Sequence, residues 1–103
     1  MSTIKITKEN FEDEVTNSDK TVLIELWAPW CGPCTRISPF IDEIAREYGD
    51  IKVGKINIDE EMDLTIELDV TCIPTLFVIK NGKIINKAVG AVSRPAILKM
   101  LNK

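Results

Sequence analysis

Apolar and polar positions alternate between two periods along this chain, and the changes of period mark its elements. Thr21-Val22-Leu23-Ile24-Glu25-Leu26 is an apolar, β-branched run broken by one acid, the pattern of a buried strand. From Pro33 to Tyr48 the period lengthens: Ile37, Phe40, Ile41, Ile44 and Tyr48 recur at helical spacing. Pro33 suits the first turn of that helix, and Gly49 follows its last periodic residue as a stop. Pro39 inside it cannot donate to the Thr35 carbonyl, which predicts a kink.

The remaining stretches read in the same way. Thr3 to Thr7 alternates like a short strand, and Thr7 is placed to cap a helix with Phe11 and Val15 on one face. Asn17-Ser18-Asp19-Lys20 is turn chemistry before the central strand. Ile51 to Asn57 reads as a second parallel-type strand, and Glu60 to Leu68 as a short acidic helix packing through Met62, Ile66 and its leucines. Thr75–Lys80 and Lys83–Val89 flank Asn81-Gly82, a strong hairpin signal. Ser93 can cap a closing helix with Pro95 in its first turn and Ile97, Leu98 and Leu101 facing inward. The order β-α-β-α-β-α-β-β-α predicts an α/β fold, a mixed sheet between helices.

Composition narrows the function. A chain of 103 residues supports one domain with one core, here residues 1–103. A hydrophobic fraction of 45%, a charged fraction of 28% and a net charge of −3 are those of a soluble globular protein. They argue against nucleic acid or an anionic membrane as partner. Met1 to Lys8 lacks the apolar core of a signal peptide, and no apolar run approaches the length of a membrane span. A cytoplasmic location is therefore expected, where disulfides tend to be catalytic or transient.

The chemistry concentrates in Trp27-Ala28-Pro29-Trp30-Cys31-Gly32-Pro33-Cys34, where the buried strand runs into the long helix. Unpaired N–H groups and the helix dipole stabilise negative charge at a helix N-terminus, and the thiolate is the nucleophilic form of cysteine. Cys31, just outside the first turn, is expected to be the exposed, activated sulfur. Cys34, three residues on, returns to the same face one turn inward and can attack a mixed disulfide formed at Cys31. Gly32 permits a tight turn between them, and Pro33 stiffens it. The competing readings are two buried cysteines serving as small hydrophobes, or half of a zinc site. Zinc would need four ligands, whereas the chain has three cysteines and no histidine. A CxxC pair within a β/α alternation reads as a redox motif.

This run, followed by Ile73-Pro74-Thr75 and Val89-Gly90-Ala91, closely resembles the thioredoxin family over essentially the whole chain. A lowered thiol pKa is a known property of that family's motif and comes with the resemblance. The resemblance implies the thioredoxin fold, a central mixed five-stranded sheet flanked by four helices, and a protein-disulfide reductase. Cys31 would be the nucleophile and Cys34 the resolving thiol. Glu25 stands where the family usually carries a buried Asp that transfers a proton, and Lys55 matches a lysine near that acid. A buried Glu25 should have a raised pKa, which an ion pair with Lys55 would oppose. The alternatives are a solvent-facing Glu25 and a Lys55 that points to water. Trp30, Ile73, Pro74, Val89, Gly90 and Ala91 would form an apolar docking rim, with a cis Pro74 leaving the Ile73 N–H and C=O free for an extended substrate. Trp27 would pack beneath the site.

Three positions depart from the family's pattern or add to it. Thr35 replaces the usual basic residue after the second cysteine, and Arg36 points about 100° further round the helix. Asp69 ends the third helix where glycine is frequent. Cys72, two residues before Pro74, reads either as a small buried hydrophobe or as an exposed regulatory thiol able to form an intermolecular disulfide. The exchange itself would need no cofactor, no metal is expected, and the chain has no GxGxxG or other nucleotide-binding glycine loop with which to re-reduce itself. Re-reduction would fall to a separate partner, by resemblance a thioredoxin reductase, and the substrates would be disulfide-containing proteins. An isomerase or oxidant, a non-catalytic protein-binding module and a metal-binding module are the rival functions.

Overall fold

A computed structural model describes residues 2–103. The central strand β2 (Thr21–Trp27) lies between β3 (Ile51–Asn57), parallel to it, and β4 (Thr75–Lys80), antiparallel. A short β1 (Ile4–Lys5) extends the parallel side and β5 (Lys83–Val89) the antiparallel side, giving the order β1-β3-β2-β4-β5. With neighbours on both edges and layers on both faces, residues 22–26 are all buried, which is why that stretch is apolar but for Glu25.

One face of the sheet carries α1 (Gly32–Glu47) and α3 (Arg94–Met100). There Leu23, Val53 and Leu76 pack against Ile37, Ile41, Ile44 and Ile97. The other face carries α2 (Met62–Glu67) and a wide helical turn at Glu12–Thr16, with Ile24, Ile56 and Phe77 against Val15 and Leu64. Gly54 of β3 has no side chain because a Cβ there would come within 2.5 Å of Ile6 Cγ1. Asn81 and Gly82 both take positive φ (53° and 76°), the turn that matches the twist of a hairpin.

Several expectations shift at element ends. β1 is two residues long rather than five. The helix after Thr7 is a wide turn in which the Asn17 N–H bonds the Glu12 carbonyl at 2.9 Å. Thr7 closes the turn before it instead: Thr7 Oγ1 accepts from the Asn10 N–H at 3.3 Å, and Asn10 Oδ1 accepts from the Thr7 N–H at 2.7 Å, while the helical turn itself begins after Phe11 with no side-chain cap. The long helix stops because Tyr48 turns extended (φ −119°, ψ 90°), not through a left-handed Gly49, and it continues across Pro39. On α2, Met62 and Ile66 point outward, with Ile66 67% exposed, and only Leu64 and Thr65 are buried. Six residues span under two turns, so the helix has one narrow inward stripe. Ser93 caps α3 by accepting from the Ala96 N–H at 3.2 Å, as its sequence predicts.

Candidate functional site

The strand-to-helix junction sets the site. β2 ends at Trp27, the Cys31 N–H bonds the Ala28 carbonyl at 3.1 Å, and Cys31 becomes the N-cap of α1. Cys31 and Cys34 are joined by a disulfide with Cα atoms 5.3 Å apart. The Cys34 N–H points at Cys31 Sγ, 3.2 Å away. A helix-terminal amide aimed at that sulfur stabilises negative charge on it when the disulfide opens. Gly32 and Pro33, between the cysteines, are exposed.

The sulfurs are less open than the sequence suggests. Cys31 is only 5% exposed, against the expected exposed thiol, because Ala28, Trp27, Ile58 and Ile73 pack around the pair. Ile58 was not foreseen in this wall. It follows from register: Trp27 pairs with Asn57 across the parallel strands, so the segments just beyond both strand ends meet. The same juxtaposition brings Asp59 to Trp30, whose indole N–H donates to both carboxylate oxygens at 3.0 and 3.2 Å. Trp30 is 67% exposed yet fixed in place by that acid. The signal available was the indole donor itself, which needs a partner.

On the far side of the disulfide the Ile73–Pro74 peptide is cis, and the Pro74 carbonyl accepts from the Gly90 N–H at 2.8 Å. That bond ties the loop after β5 to the loop before β4. Gly90 has φ 95°, a conformation that favours glycine. Val89 and Ala91 beside it are exposed and Ile73 is half-buried. Among the described residues, neither the N–H nor the C=O of Ile73 takes a hydrogen-bond partner. Cys72 is free and exposed, so the reading of a buried small hydrophobe does not hold.

On β2, two residues before Trp27, lies Glu25, 1% exposed, on the sheet face that meets α1. Its register neighbours are Lys55 on β3 and Leu76 on β4. Among the described residues, neither carboxylate oxygen has a hydrogen-bond partner. The Lys55 ammonium stands 3.8 Å from Glu25 Oε1, so Lys55 faces the acid rather than water. Burial pushes the carboxyl up from its ordinary 4.5 to about 7, Lys55 opposes that rise, and the Asp42 carboxylate adds to it. Glu25 is therefore poised to hold or release a proton near neutrality. Thr35 and Arg36 are exposed, and Thr35 turns its hydroxyl to the Cys31 carbonyl at 3.1 Å. Among the described residues, no group of three His, Cys, Asp or Glu side chains could hold a metal ion.

The family model for Thioredoxin matches residues 2–103 of this chain. The chain belongs to the thioredoxin family. A thioredoxin of Pyropia yezoensis is 43% identical over 104 aligned positions, covering 100% of this chain and 97% of that protein. Thioredoxin 1 of a Nostoc species is 42% identical, covering 96% and 94%, and the thioredoxin of Haemophilus influenzae 40%, covering 97% and 94%. The thioredoxin-family chain is accordingly a thiol–disulfide oxidoreductase, and its Cys31–Cys34 pair suits dithiol–disulfide reduction. No helix among the described residues is long and apolar enough to cross a membrane.

Proposed function

We propose that Cys31 is the attacking thiolate, Cys34 the resolving thiol and Glu25 the group that takes the second proton, in a cytoplasmic reductase of protein disulfides. Cys31 Sγ attacks one sulfur of a partner's disulfide, that S–S bond breaks, and a mixed disulfide forms at Cys31. Cys34 then gives its proton to Glu25, and its sulfur attacks Cys31 Sγ. The bond to the partner breaks, the partner leaves with two reduced sulfurs, and Cys31–Cys34 closes as the disulfide seen here. Two electrons have passed to the partner. A thioredoxin reductase restores the dithiol.

The observation that carries this reading is the Cys34 N–H aimed at Cys31 Sγ at 3.2 Å, which distinguishes the two sulfurs by the amide that only one receives. Docking falls to the rim of Trp30, Ile73, Pro74, Val89, Gly90 and Ala91, where the unpaired Ile73 N–H and C=O suit one strand of an extended substrate. Cys72, exposed two residues from Pro74, serves as a regulatory thiol that links two monomers or takes an oxidative cap. Equilibrating the Cys31–Cys34 couple with defined thiol buffers and reading it by mass spectrometry tests the direction of flow. A potential on the reducing side of the glutathione pool is expected. A distinctly oxidising value would make the protein an isomerase or oxidant, and no reversible couple would leave a binding module.

A further inference from the structure

The Lys55 ammonium is held by three oxygen groups at unequal distances. Ser38 Oγ lies 2.7 Å away, Asp42 Oδ1 3.0 Å, and Glu25 Oε1 3.8 Å. The two nearer groups take the short contacts, while Glu25 receives the field of the cation without a hydrogen bond. An ammonium bonded directly to that carboxylate would pin it ionised. Ser38 and Asp42 follow Cys34 at four and eight residues along α1, on one helical face. The helix that carries the resolving cysteine thus also carries both groups that restrain the lysine.

We propose that Ser38 and Asp42 are positioning residues: they tether the Lys55 ammonium short of Glu25 and so set the pH range in which Glu25 accepts the Cys34 proton. The inference rests on the proton-transfer role given to Glu25 above. Among the described residues, the charged groups that act on the carboxyl are Lys55 and Asp42. β3 supplies Lys55 and α1 supplies Asp42, whereas β4 opposes it with Leu76. Arg46 lies one turn beyond Asp42 and lines a cleft with it. Lys5 and Glu60 pair with each other at 3.0 Å and line a separate cleft of about 380 Å³ beside Lys55 and Trp27. The Lys55 side chain is 17% exposed along that cleft, while the Glu25 side chain is 1% exposed.

The test follows the carboxyl itself, by carbon NMR of glutamate-labelled reduced protein, together with the stopped-flow pH profile of the Cys34 step. Ser38→Ala and Asp42→Asn free the ammonium to close on Glu25, so each should lower the apparent midpoint by about one pH unit, and the rate profile should move with it. Lys55→Met should raise the midpoint and remove most of the effect of Asp42→Asn in the double variant. Unmoved midpoints in both Ser38→Ala and Asp42→Asn would overturn the proposal. So would an undiminished Asp42→Asn effect without Lys55, since the aspartate would then act by its own charge. Midpoints that move while the Cys34 profile stays fixed would uphold the tether and overturn the proton-transfer role of Glu25 instead.

Discussion

At Glu25 a carboxyl group sits in the interior with both oxygens unpaired, and its stability cost depends on pH. Its value in the folded protein, about 7, lies above the ordinary 4.5, so the folded state binds the proton more tightly than the unfolded chain does. This contribution to stability is therefore greatest below pH 4.5, declines as pH rises, and levels off above about pH 7. The full span is about 3 kcal/mol. Glu25→Gln should flatten this part of the curve and stabilise the oxidised protein most above neutrality, measured by denaturant unfolding across pH. The same variant should slow the Cys34 step by about a hundredfold and spare attack by Cys31. Stopped-flow traces with both steps unchanged would remove Glu25 from the chemistry. At Cys72, mild oxidant should produce an adduct or a linked dimer in the intact mass, and Cys72→Ala should abolish it while keeping the Cys31–Cys34 disulfide. An unchanged mass in the parent protein would exclude the regulatory thiol.

Among the elements, α2 shows a local conflict at its end. The Val70 N–H bonds the Thr65 carbonyl at 3.1 Å and the Asp69 N–H the Ile66 carbonyl at 2.9 Å, a two-bond helix stop that requires its central residue to be left-handed. Asp69 meets that demand with φ 56°. Asp69→Gly should raise stability by about 0.5–1 kcal/mol, seen as a melting temperature a few degrees higher. A lower melting temperature would show that the aspartate compensates through a contact of its own. The conflict was legible in the sequence, as were β2, β3, the Asn81-Gly82 hairpin and the Ser93 cap, because each is a local demand met by the residue present. The inward packing given to Met62 and Ile66 failed because period alone does not say how far a neighbouring sheet extends. The burial of Cys31 and the Trp30–Asp59 pair were missed for a related reason. Both depend on how two strand ends align in space, which the register of β2 with β3 decides.

Across the whole molecule, charge is divided along the chain. All 16 acidic residues precede residue 70, and residues 70–103 carry Lys80, Lys83, Lys87, Arg94, Lys99 and Lys103 with no acid among them. Folding joins the two portions. Arg94 reaches Glu47 at 2.8 Å and Glu43 at 3.2 Å, and Lys103 meets Asp50, so α3 is fastened to the end of α1. These groups lie at the surface, the acids 41–64% exposed, and Arg94→Ala should lower stability only slightly, with the difference from the parent fading at about 1 M salt. A salt-independent loss would mean that the arginine stem, not its charge, holds the helix.

The strand order gives this division a meaning during synthesis. β2, which leads into the cysteine pair, finds its parallel neighbour within the acidic portion but its antiparallel neighbour β4 only in the basic one. A ribosome releases the redox motif long before the strand that completes the sheet beside it. Until β4, β5 and α3 emerge, the nascent chain exposes one flank of its most apolar strand, and the basic segment closes that flank last.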